Sequence, residues 1–331
     1  MNKPIILSGI QPSGNLHLGN YLGSIANWLK LQNDHECFFC IVDHHAITAT
    51  QDPQELHAKS LEIAAIYLAS GIDPAKSTIF IQSHVSAHTE LGWILGTLAK
   101  MSEMELMTQY KDKSAKNPKN INAGLFTYPI LMSADILLYD ADLVPVGEDQ
   151  TQHLELARRL ARRFNDHYGN TFKVPKQWTG EVGAKIMGLD DPRGKMSKSA
   201  SSPDNYIALL DSPDMAREKI KQAVTDSGSE IKYAPESKPG ISNLLVIYHL
   251  LSGIPIAELE KKFTGKNYTE FKKELGEVVA VFLEDFQKKF HAYQRDPIQK
   301  ILKQGADKAR SRANAKLASA KTKMGFVLPF P

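Results

Sequence analysis

Two short segments of this 331-residue chain have residue types and spacings that suit a phosphate ligand. In the first, LSGIQPSGNLHLGNYLGS (residues 7–24), Gly9, Gly14 and Gly19 lie near His17 after an apolar run. Glycine lets a backbone approach an anion without an intervening Cβ, and a following helix offers free N–H groups to a phosphate. The spacing fits neither the dinucleotide fingerprint nor the phosphate loop that ends in Gly-Lys-Ser/Thr, so this segment alone is a weak indication.

The second segment, GKMSKSASSPD (residues 194–204), combines Lys195 and Lys198 with small polar residues. Lysine supplies a mobile point charge that suits a polyphosphate whose charge shifts during a reaction. A small polar loop can also open and close over a substrate. By composition alone, a solvent-exposed linker is the more common explanation of such a segment.

A third candidate is an acid in an apolar setting. Asp135 lies within TYPILMSADILLY (residues 127–139), where an unpaired carboxylate would be costly to bury. Either its partners are structural, or the carboxylate waits for a hydrogen-bond donor on a ligand. The residues alone leave both explanations open.

Several histidines and one tryptophan have simpler explanations. His84 and His88 have the i, i+4 spacing of a zinc-protease pair, but the acid of that motif is absent between them, so we expect no metal there. His44 and His45 end a predicted strand at the edge where ligands bind, so one of them is expected near the pocket. Trp93 is expected in the core.

Strands and helices that could position these residues alternate in the first half of the chain. Buried strands are predicted at four short apolar runs, residues 4–8, 37–43, 77–83 and 142–146. Amphipathic stretches at Leu18–Gln32 and Pro53–Ser70 predict helices between them. This alternation predicts a doubly wound, Rossmann-like α/β domain with a parallel sheet, which binds ligands at the carboxyl edge of its strands.

The second half of the chain is predicted to be helical. The helical patterns cover residues 241–253, 256–263, Tyr268–Tyr293 and Ile298–Lys323. We therefore predict a Rossmann-like catalytic domain at 1–203 and a C-terminal all-helical domain at 204–331, whose last helix either stays with that domain or packs back on the catalytic domain. That helix carries eight Lys or Arg against one acid, Asp307, which suits either a solvated helix face or a nucleic-acid backbone.

Composition limits the setting in which the chain works. The net charge of +3 is too small by itself to indicate a nucleic-acid partner. No apolar run reaches membrane-spanning length and no hydrophobic segment follows a basic N-terminus, so we expect neither a membrane nor secretion. Cys37 and Cys40 are expected on opposite faces of a strand as reduced thiols, which predicts a cytoplasmic protein.

The two phosphate-binding segments, taken together, carry a resemblance that covers nearly the whole chain. PSGNLHLGN (12–20) resembles the HIGH motif of class I aminoacyl-tRNA synthetases, and KMSKS (195–199) matches their second motif letter for letter. Further segments are similar to the bacterial type of the tryptophanyl-tRNA synthetase family: VDHHAIT (42–48), NAGLFTYPILMSADILLY (122–139), VPVGEDQTQHLELARRLARRFN (144–165) and AVTDS (223–227).

The resemblance implies a two-step ligase reaction that uses ATP, with Mg²⁺ on the phosphates rather than in a protein cage. The tryptophan carboxylate first attacks the α-phosphorus of ATP, which gives tryptophanyl-adenylate and pyrophosphate. Tryptophan then passes to the 3′-terminal adenosine of tRNA(Trp), initially at the 2′-hydroxyl. Such phosphoryl chemistry needs positioning and charge stabilisation rather than a protein nucleophile, so no catalytic triad is expected.

The resemblance also assigns roles to individual residues at the ATP site. Those expected to act in catalysis are His17, Asn20, Lys195, Lys198 and Lys113. Those expected to bind ATP are Gln11, Pro12, Ser13, Gly19, Asn20, Gly147, Glu148, Asp149, Ile186, Lys195, Met196, Ser197, Lys198 and Ser199. His17 is the expected donor to phosphate in the transition state, and the lysines are expected to hold the polyphosphate.

For tryptophan, the resemblance selects the ligand-binding explanation of Asp135, as the acceptor of the indole N–H. Met132, one helical turn earlier, is expected to pack against the ring. Tyr128 and Gln150 are expected to contact the substrate's amino group. A site built around that hydrogen bond can reject phenylalanine by roughly 10⁴–10⁵, so no editing domain is needed.

By analogy with the family, the chain is expected to form a homodimer through about residues 99–122 and to read the anticodon of tRNA(Trp) with its helical domain. Two alternatives remain open at this point. The tyrosine enzymes share the fold, and a synthetase-like RNA-binding or regulatory protein could keep the motifs without catalysis.

Overall fold

Five parallel strands form one sheet in the computed structural model, which describes residues 3–116, 121–178, 185–198, 200, 202–293 and 295–328. The strands are β1 (Ile5–Ile10), β2 (Glu36–Ile41), β3 (Ser77–Ile81), β4 (Leu143–Pro145) and β5 (Lys176–Trp178). Their order across the sheet is β3-β2-β1-β4-β5. The predicted parallel sheet and its four predicted strands are confirmed. The fifth strand is not predicted because its residues, Lys-Gln-Trp, form no apolar run.

Helices connect these strands and fill the second half of the described chain. They are α1 (Leu18–Asn20), α2 (Ala26–Leu31), α3 (Asp43–Ala46), α4 (Pro53–Ala69), α5 (Ala87–Gly96), α6 (Met101–Glu105), α7 (Thr108–Lys116), α8 (Ala123–Leu138), α9 (Thr151–Tyr168), α10 (Pro213–Gln222), α11 (Pro239–Ser252), α12 (Ile256–Lys262), α13 (Tyr268–Ala292) and α14 (Arg295–Lys323). A π-helical turn, Tyr21–Ile25, joins α1 to α2. The helical C-terminal region is therefore confirmed.

The central strands are mostly apolar because the sheet is buried. Phe38, Phe39 and Phe80 are fully buried, as are the free thiols of Cys37 and Cys40. A parallel sheet covered on both faces favours continuous apolar runs over alternation. Burial raises the pKa of the Cys37 thiol to about 12, so this side chain behaves as a small apolar group at neutral pH.

Packing divides the chain into two compact units. The first comprises Met1–Ser13, Lys30–Glu181 and Gln294–Pro331, and the second comprises Gly14–Leu29 and Val182–Tyr293. This division differs from the predicted domains 1–203 and 204–331, because most of the first glycine-rich segment and residues 182–203 belong to the second unit. α14 belongs to the first unit, which is the alternative in which the last helix packs back on the catalytic domain. Both differences come from long-range packing, which local sequence patterns do not specify.

α14 packs against β3, the edge strand of the sheet in the first unit. Its buried face combines leucine and isoleucine with a row of small residues, among them Gly305, Ala306, Ala309 and Ala313. A Cβ at Gly305 would overlap the backbone carbonyl of Ile79. Glycine therefore permits the close approach of this helix to the strand.

Most of the basic side chains of α14 are engaged within the same unit. Carboxylates or backbone carbonyls bind six of the eight: Lys308, Arg310, Arg312, Lys316, Lys321 and Lys323. For example, Lys308 and Arg312 both pair with Glu36, at 3.4 and 3.2 Å, and both lie over the ring of Phe38. These contacts favour a structural role for the positive charge over an open nucleic-acid face.

The second unit has a helical core of its own. α10 packs against α13, and the buried side chains include Ile220, Leu244, Phe271 and Leu283. Within the described ranges, no single helix combines the length and apolarity needed to cross a membrane. α11 and α12 have sufficient length and apolarity only when they are counted as one pair, and this pair is bent by 109°.

Candidate active site

The residues directly after β1 form a short turn at the carboxyl edge of the sheet. Gln11 and Ser13 close this turn, since the Ser13 N–H donates to the Gln11 carbonyl at 2.9 Å. Pro12 between them is buried. The predicted role of all three residues in binding phosphate stays a prediction.

His17 in the second unit is buried, with 5% of its surface exposed. The Leu18 N–H donates to the Ile207 carbonyl at 2.8 Å, which fixes the backbone on one side of the ring, and Tyr206 lies 5.7 Å from the ring centre. Its Nδ1 has no hydrogen-bond partner among the described residues. Burial, and then the charges of Lys198 and Lys195, lower the pKa of His17 to about 4. The ring is therefore neutral at pH 7 and can donate through one nitrogen.

Gly19 and Asn20 complete this first motif. A Cβ at Gly19 would lie 3.0 Å from Nδ1 of His17, so glycine leaves room for the ring. The Oδ1 of Asn20 accepts the His17 backbone N–H at 3.1 Å. Because that oxygen is used, the amide NH₂ of Asn20 is the group available to donate to a ligand.

The lysine segment lies beside the first motif within the second unit. Lys195 and Lys198 are exposed, whereas Met196 between them is buried and its N–H donates to the Ile186 carbonyl at 3.0 Å. The side chain of Lys198 covers Gly14, whose Cβ would lie 2.8 Å from its Cδ. Gly14 also has a φ of +58°, which favours glycine. The structure thus brings both predicted motifs together.

Asn205 is a residue of this region that the sequence did not indicate. Its Oδ1 accepts the backbone N–H of Ser197 at 2.9 Å, and its Nδ2 donates to Asp190. The side chain is buried, with 5% exposed. Asn205 therefore holds the backbone of the lysine segment in place through the Ser197 N–H. The neighbouring predicted residue Ser199 lies outside the described residues.

A second set of predicted ATP-binding residues belongs to the first unit. Gly147 begins a turn in which its carbonyl accepts the Gln150 N–H at 3.0 Å, and the Gln150 amide donates to Asp149 at 2.7 Å. Glu148 lies in the same turn, but its side chain is outside the described part of the structure, as is the side chain of Lys113 on α7. The roles of these residues stay predictions.

Asp135 on α8 is buried, and three side chains surround its carboxylate. Gln82 donates to Oδ1 at 2.7 Å, and His88 donates to the same oxygen at 2.6 Å. His45 donates to Oδ2 at 2.8 Å. Burial opposes ionisation of Asp135, but the hydrogen bonds from His45 and His88 together outweigh it and hold its pKa below the usual range. The carboxylate is a permanently charged acceptor at neutral pH.

The other predicted tryptophan-binding residues of α8 lie near this carboxylate in sequence. Tyr128 is buried and its hydroxyl lies 3.0 Å from Nε2 of His153, while the ring of His45 is 6.1 Å away. Burial, followed by the charge of Asp149, raises the pKa of Tyr128 to about 12, so the hydroxyl stays protonated. Met132 is half-buried on the same helix. Their contacts with a substrate stay predictions.

His45 and Trp93 of the first unit have contrasting environments, the first buried and the second exposed. His45 was one of two histidines expected near the pocket, and it does contact Asp135. Trp93 was expected in the core, which is wrong, because 78% of its side chain is exposed on α5. The sequence neighbours of Trp93 are apolar on both sides, so they do not indicate whether its side chain lies on the buried or the exposed face of α5.

Among the described residues, no group of three or more His, Cys, Asp or Glu is arranged to hold a metal ion. His88, which sequence spacing paired with His84, instead bonds to Asp135 and Tyr139. Neither spacing nor composition could indicate these partners, because they come from another helix.

Comparison with known proteins gives consistent results for sequence and fold. The family model for class I tRNA synthetases of the tryptophan and tyrosine type matches residues 1–284. A tryptophan–tRNA ligase from Clostridium tetani is 50% identical over 329 residues, which cover 99% of this chain and 97% of that protein. Tryptophanyl-tRNA synthetase from Mycoplasma pneumoniae has a TM-score of 0.92 at 36% identity over 99% of both chains. The enzyme from Campylobacter jejuni, complexed with ADP and tryptophan, has a TM-score of 0.82 at 37% identity over 97% of this chain and 100% of that one.

Proposed function

Because this chain belongs to the class I tRNA synthetases of the tryptophan and tyrosine group, we propose that it uses ATP to join L-tryptophan to tRNA(Trp). The 50% identity to a tryptophan–tRNA ligase over nearly the whole chain supports tryptophan as the amino acid. The related Campylobacter structure, complexed with ADP and tryptophan, supports both small substrates.

The observation that carries the choice of substrate is the buried, ionised carboxylate of Asp135. An indole presents one N–H donor in an otherwise apolar ring. A ring without that donor would leave the buried acceptor unpaired, and the free-energy cost would disfavour its binding. In this proposal Asp135 accepts the indole N–H, Met132 packs against the ring, and Tyr128 and Gln150 contact the amino group.

Activation of the carboxylate uses groups that stabilise phosphate charge. Lys195 and Lys198 provide positive charge, and neutral His17 and the Asn20 amide donate hydrogen bonds to the phosphates. Mg²⁺ would bind to ATP oxygens and offset their negative charge. The further proposed contacts to ATP are Gln11, Pro12, Ser13, Gly19, Lys113, Gly147, Glu148, Asp149, Ile186, Met196, Ser197 and Ser199.

The assembly and setting of the protein are also proposals. Four large apolar side chains within or next to residues 99–122 are exposed: Trp93, Met101, Leu106 and Ile121. Large apolar side chains that are individually exposed in one stretch of chain support subunit contact, so we propose a homodimer. We further propose that the protein acts in the cytoplasm and that its helical region reads the tRNA anticodon.

The decisive experiment is ATP–pyrophosphate exchange with the purified full chain and each aromatic amino acid in turn. We expect exchange with tryptophan and little with tyrosine or phenylalanine. A preference for tyrosine would show that the chain is a tyrosine enzyme. Exchange with none of the three would point to a regulatory or RNA-binding protein that has lost catalysis.

A further inference from the structure

Asp135 is held by a polar network that comes from several separate elements of the first unit. His45 is on α3, Gln82 follows β3, and His88 is on α5. Gln82 and His88 have no exposed surface. Buried polar groups of this kind are costly unless each is satisfied, so their placement fixes the carboxylate in one orientation.

The hydrogen bonds are distributed unequally over the two oxygens of this carboxylate. A carboxylate has about four lone-pair positions, two on each oxygen. Gln82 and His88 occupy both positions on Oδ1, at 2.7 and 2.6 Å, whereas His45 occupies one position on Oδ2. Among the described residues, the remaining acceptor position is on Oδ2, beside the ring of His45.

The ring of His88 is itself held in place from its other side. The Tyr139 hydroxyl lies 2.8 Å from Nε2 of His88, and Tyr139 has no exposed surface. Because the ionised carboxylate of Asp135 only accepts, Nδ1 of His88 must be the donor at 2.6 Å, and in the neutral ring Nε2 is then the acceptor for the Tyr139 hydroxyl. The ring of Phe80 stacks on His88 with 29° between the ring planes.

We propose that His88, oriented by Tyr139, is a positioning residue that sets the specificity for an N–H donor on the substrate ring. Together with Gln82 it saturates Oδ1, so the carboxylate presents a single open acceptor position on Oδ2. This inference rests on the proposed function, in which Asp135 accepts the indole N–H. It adds that residues without substrate contact determine where that acceptor points.

The test compares tryptophan with 3-(3-benzothienyl)alanine, which has nearly the same shape but a sulfur in place of the indole N–H. ATP–pyrophosphate exchange gives kcat/KM for each amino acid in the full chain. The unmodified protein should prefer tryptophan strongly. His88→Leu removes the donor to Oδ1 and should reduce this preference at least about tenfold, with KM for ATP unchanged. His88→Asn places an amide donor near the position of Nδ1 and should restore most of the preference.

Two additional variants allow the inference to be tested even if His88→Leu fails to fold. Tyr139→Phe keeps the apolar packing but removes the hydroxyl that orients His88, so it should weaken the preference to an intermediate value. Ile94→Val changes a buried residue of the same helix without touching the network, and it should leave the preference intact. If His88→Leu does not fold, the comparison of Tyr139→Phe with Ile94→Val decides.

The inference is overturned if His88→Leu or Tyr139→Phe lowers kcat/KM for both amino acids by the same factor. Equal losses would mean that the network only supports the fold. An unmodified chain without tryptophan-dependent exchange would instead refute the proposed function, so the two failures are distinguishable.

Discussion

His17 is a buried histidine whose ring stays neutral where an ordinary histidine begins to ionise. Because its pKa is lowered to about 4, the folded state resists protonation between that pH and about 6.5, the usual value. The unfolded chain binds the proton first as the pH falls. The stability from a neutral His17 is thus fully present above pH 6.5 and is lost as the pH falls toward 4.

This titration predicts a pH-dependent difference between the protein and its His17→Gln variant. Between pH 7 and pH 4.5, the unmodified protein should lose on the order of 2–3 kcal/mol more free energy of unfolding than the variant, which has no titrating ring. Denaturant unfolding at several pH values measures this difference. Parallel curves for the two proteins would contradict a neutral, buried His17.

Asp135→Asn should impair the use of tryptophan far more than that of ATP. The amide is uncharged and keeps only one accepting oxygen, so its NH₂ group faces either His45 or the pair of Gln82 and His88, which donate to the carboxylate. We expect kcat/KM for tryptophan to fall by roughly 10² or more, with KM for ATP nearly unchanged. ATP–pyrophosphate exchange kinetics measure kcat/KM for tryptophan and KM for ATP. Equal losses for the two substrates would exclude the role of Asp135 in binding indole.

The sequence can identify Asp135 but not the groups that hold it. An acid inside an apolar stretch is conspicuous, because burial without partners is costly. His88 and Gln82 lie 47 and 53 residues away in the chain. Which side chains meet across α5, α8 and β3 depends on helix rotation and packing, and the residue pattern determines neither.

At the scale of elements, the lysine segment depends on Asn205 for its position. Asn205→Ala removes the acceptor for the Ser197 N–H and the bond to Asp190. We expect KM for ATP to rise about tenfold, since one hydrogen bond and its buried partner are lost, with little change in KM for tryptophan. Asp204→Ala, an exposed neighbour in the same turn, is the matched control in exchange kinetics. Equal effects of the two variants would rule out a specific anchor.

At Gly305, substitution by alanine should destabilise the protein, although the same change in a helix is usually stabilising. Replacing a helical glycine by alanine normally stabilises by about 0.5–1 kcal/mol. Here the Cβ would overlap the backbone carbonyl of Ile79, so we expect Gly305→Ala to lower the free energy of unfolding by about 1–3 kcal/mol. Gly276→Ala in α13, where the nearest atom would lie at 3.6 Å, should be neutral or stabilising. Denaturant unfolding of both variants checks the contrast.

Most element types could be predicted because each has a strong local pattern. β1 to β3 are continuous apolar runs, and Asp52 and Pro53 mark the start of α4, where Asp52 accepts the N–H groups of Gln54 and Glu55. β5 could not be predicted because three residues that pair with only one neighbouring strand need little apolar surface.

At the scale of the whole molecule, the exposed apolar side chains of α5 and α6 bear on the proposed homodimer. Trp93→Glu combined with Leu106→Glu should convert a dimer into a monomer, because two buried charges would face an apolar surface without partners. Light scattering coupled to size-exclusion chromatography measures the mass. Val281→Glu, at a residue that is 61% exposed in the second unit, should leave the mass unchanged. A monomeric unmodified protein would refute the proposed assembly.

The division into units lies beyond what the sequence pattern can predict. Local periodicity predicts α14 as a helix but leaves open whether it stays with the helical region or packs back on the sheet. Its alanines and Gly305 fit β3, but a stripe of small residues does not specify which surface it covers. Only the assembled packing shows that the sheet unit is built from three separate stretches of chain.

This interrupted construction has a consequence for biosynthesis. Since α14 follows the whole second unit in the chain, the ribosome produces β1 to β5 long before the helix that packs against β3. During that interval the nascent sheet has an uncovered edge strand, which is prone to pair with other chains. Folding of the first unit is therefore completed only after the second unit has been synthesised, and truncation before α14 should yield an aggregation-prone product rather than a smaller stable domain.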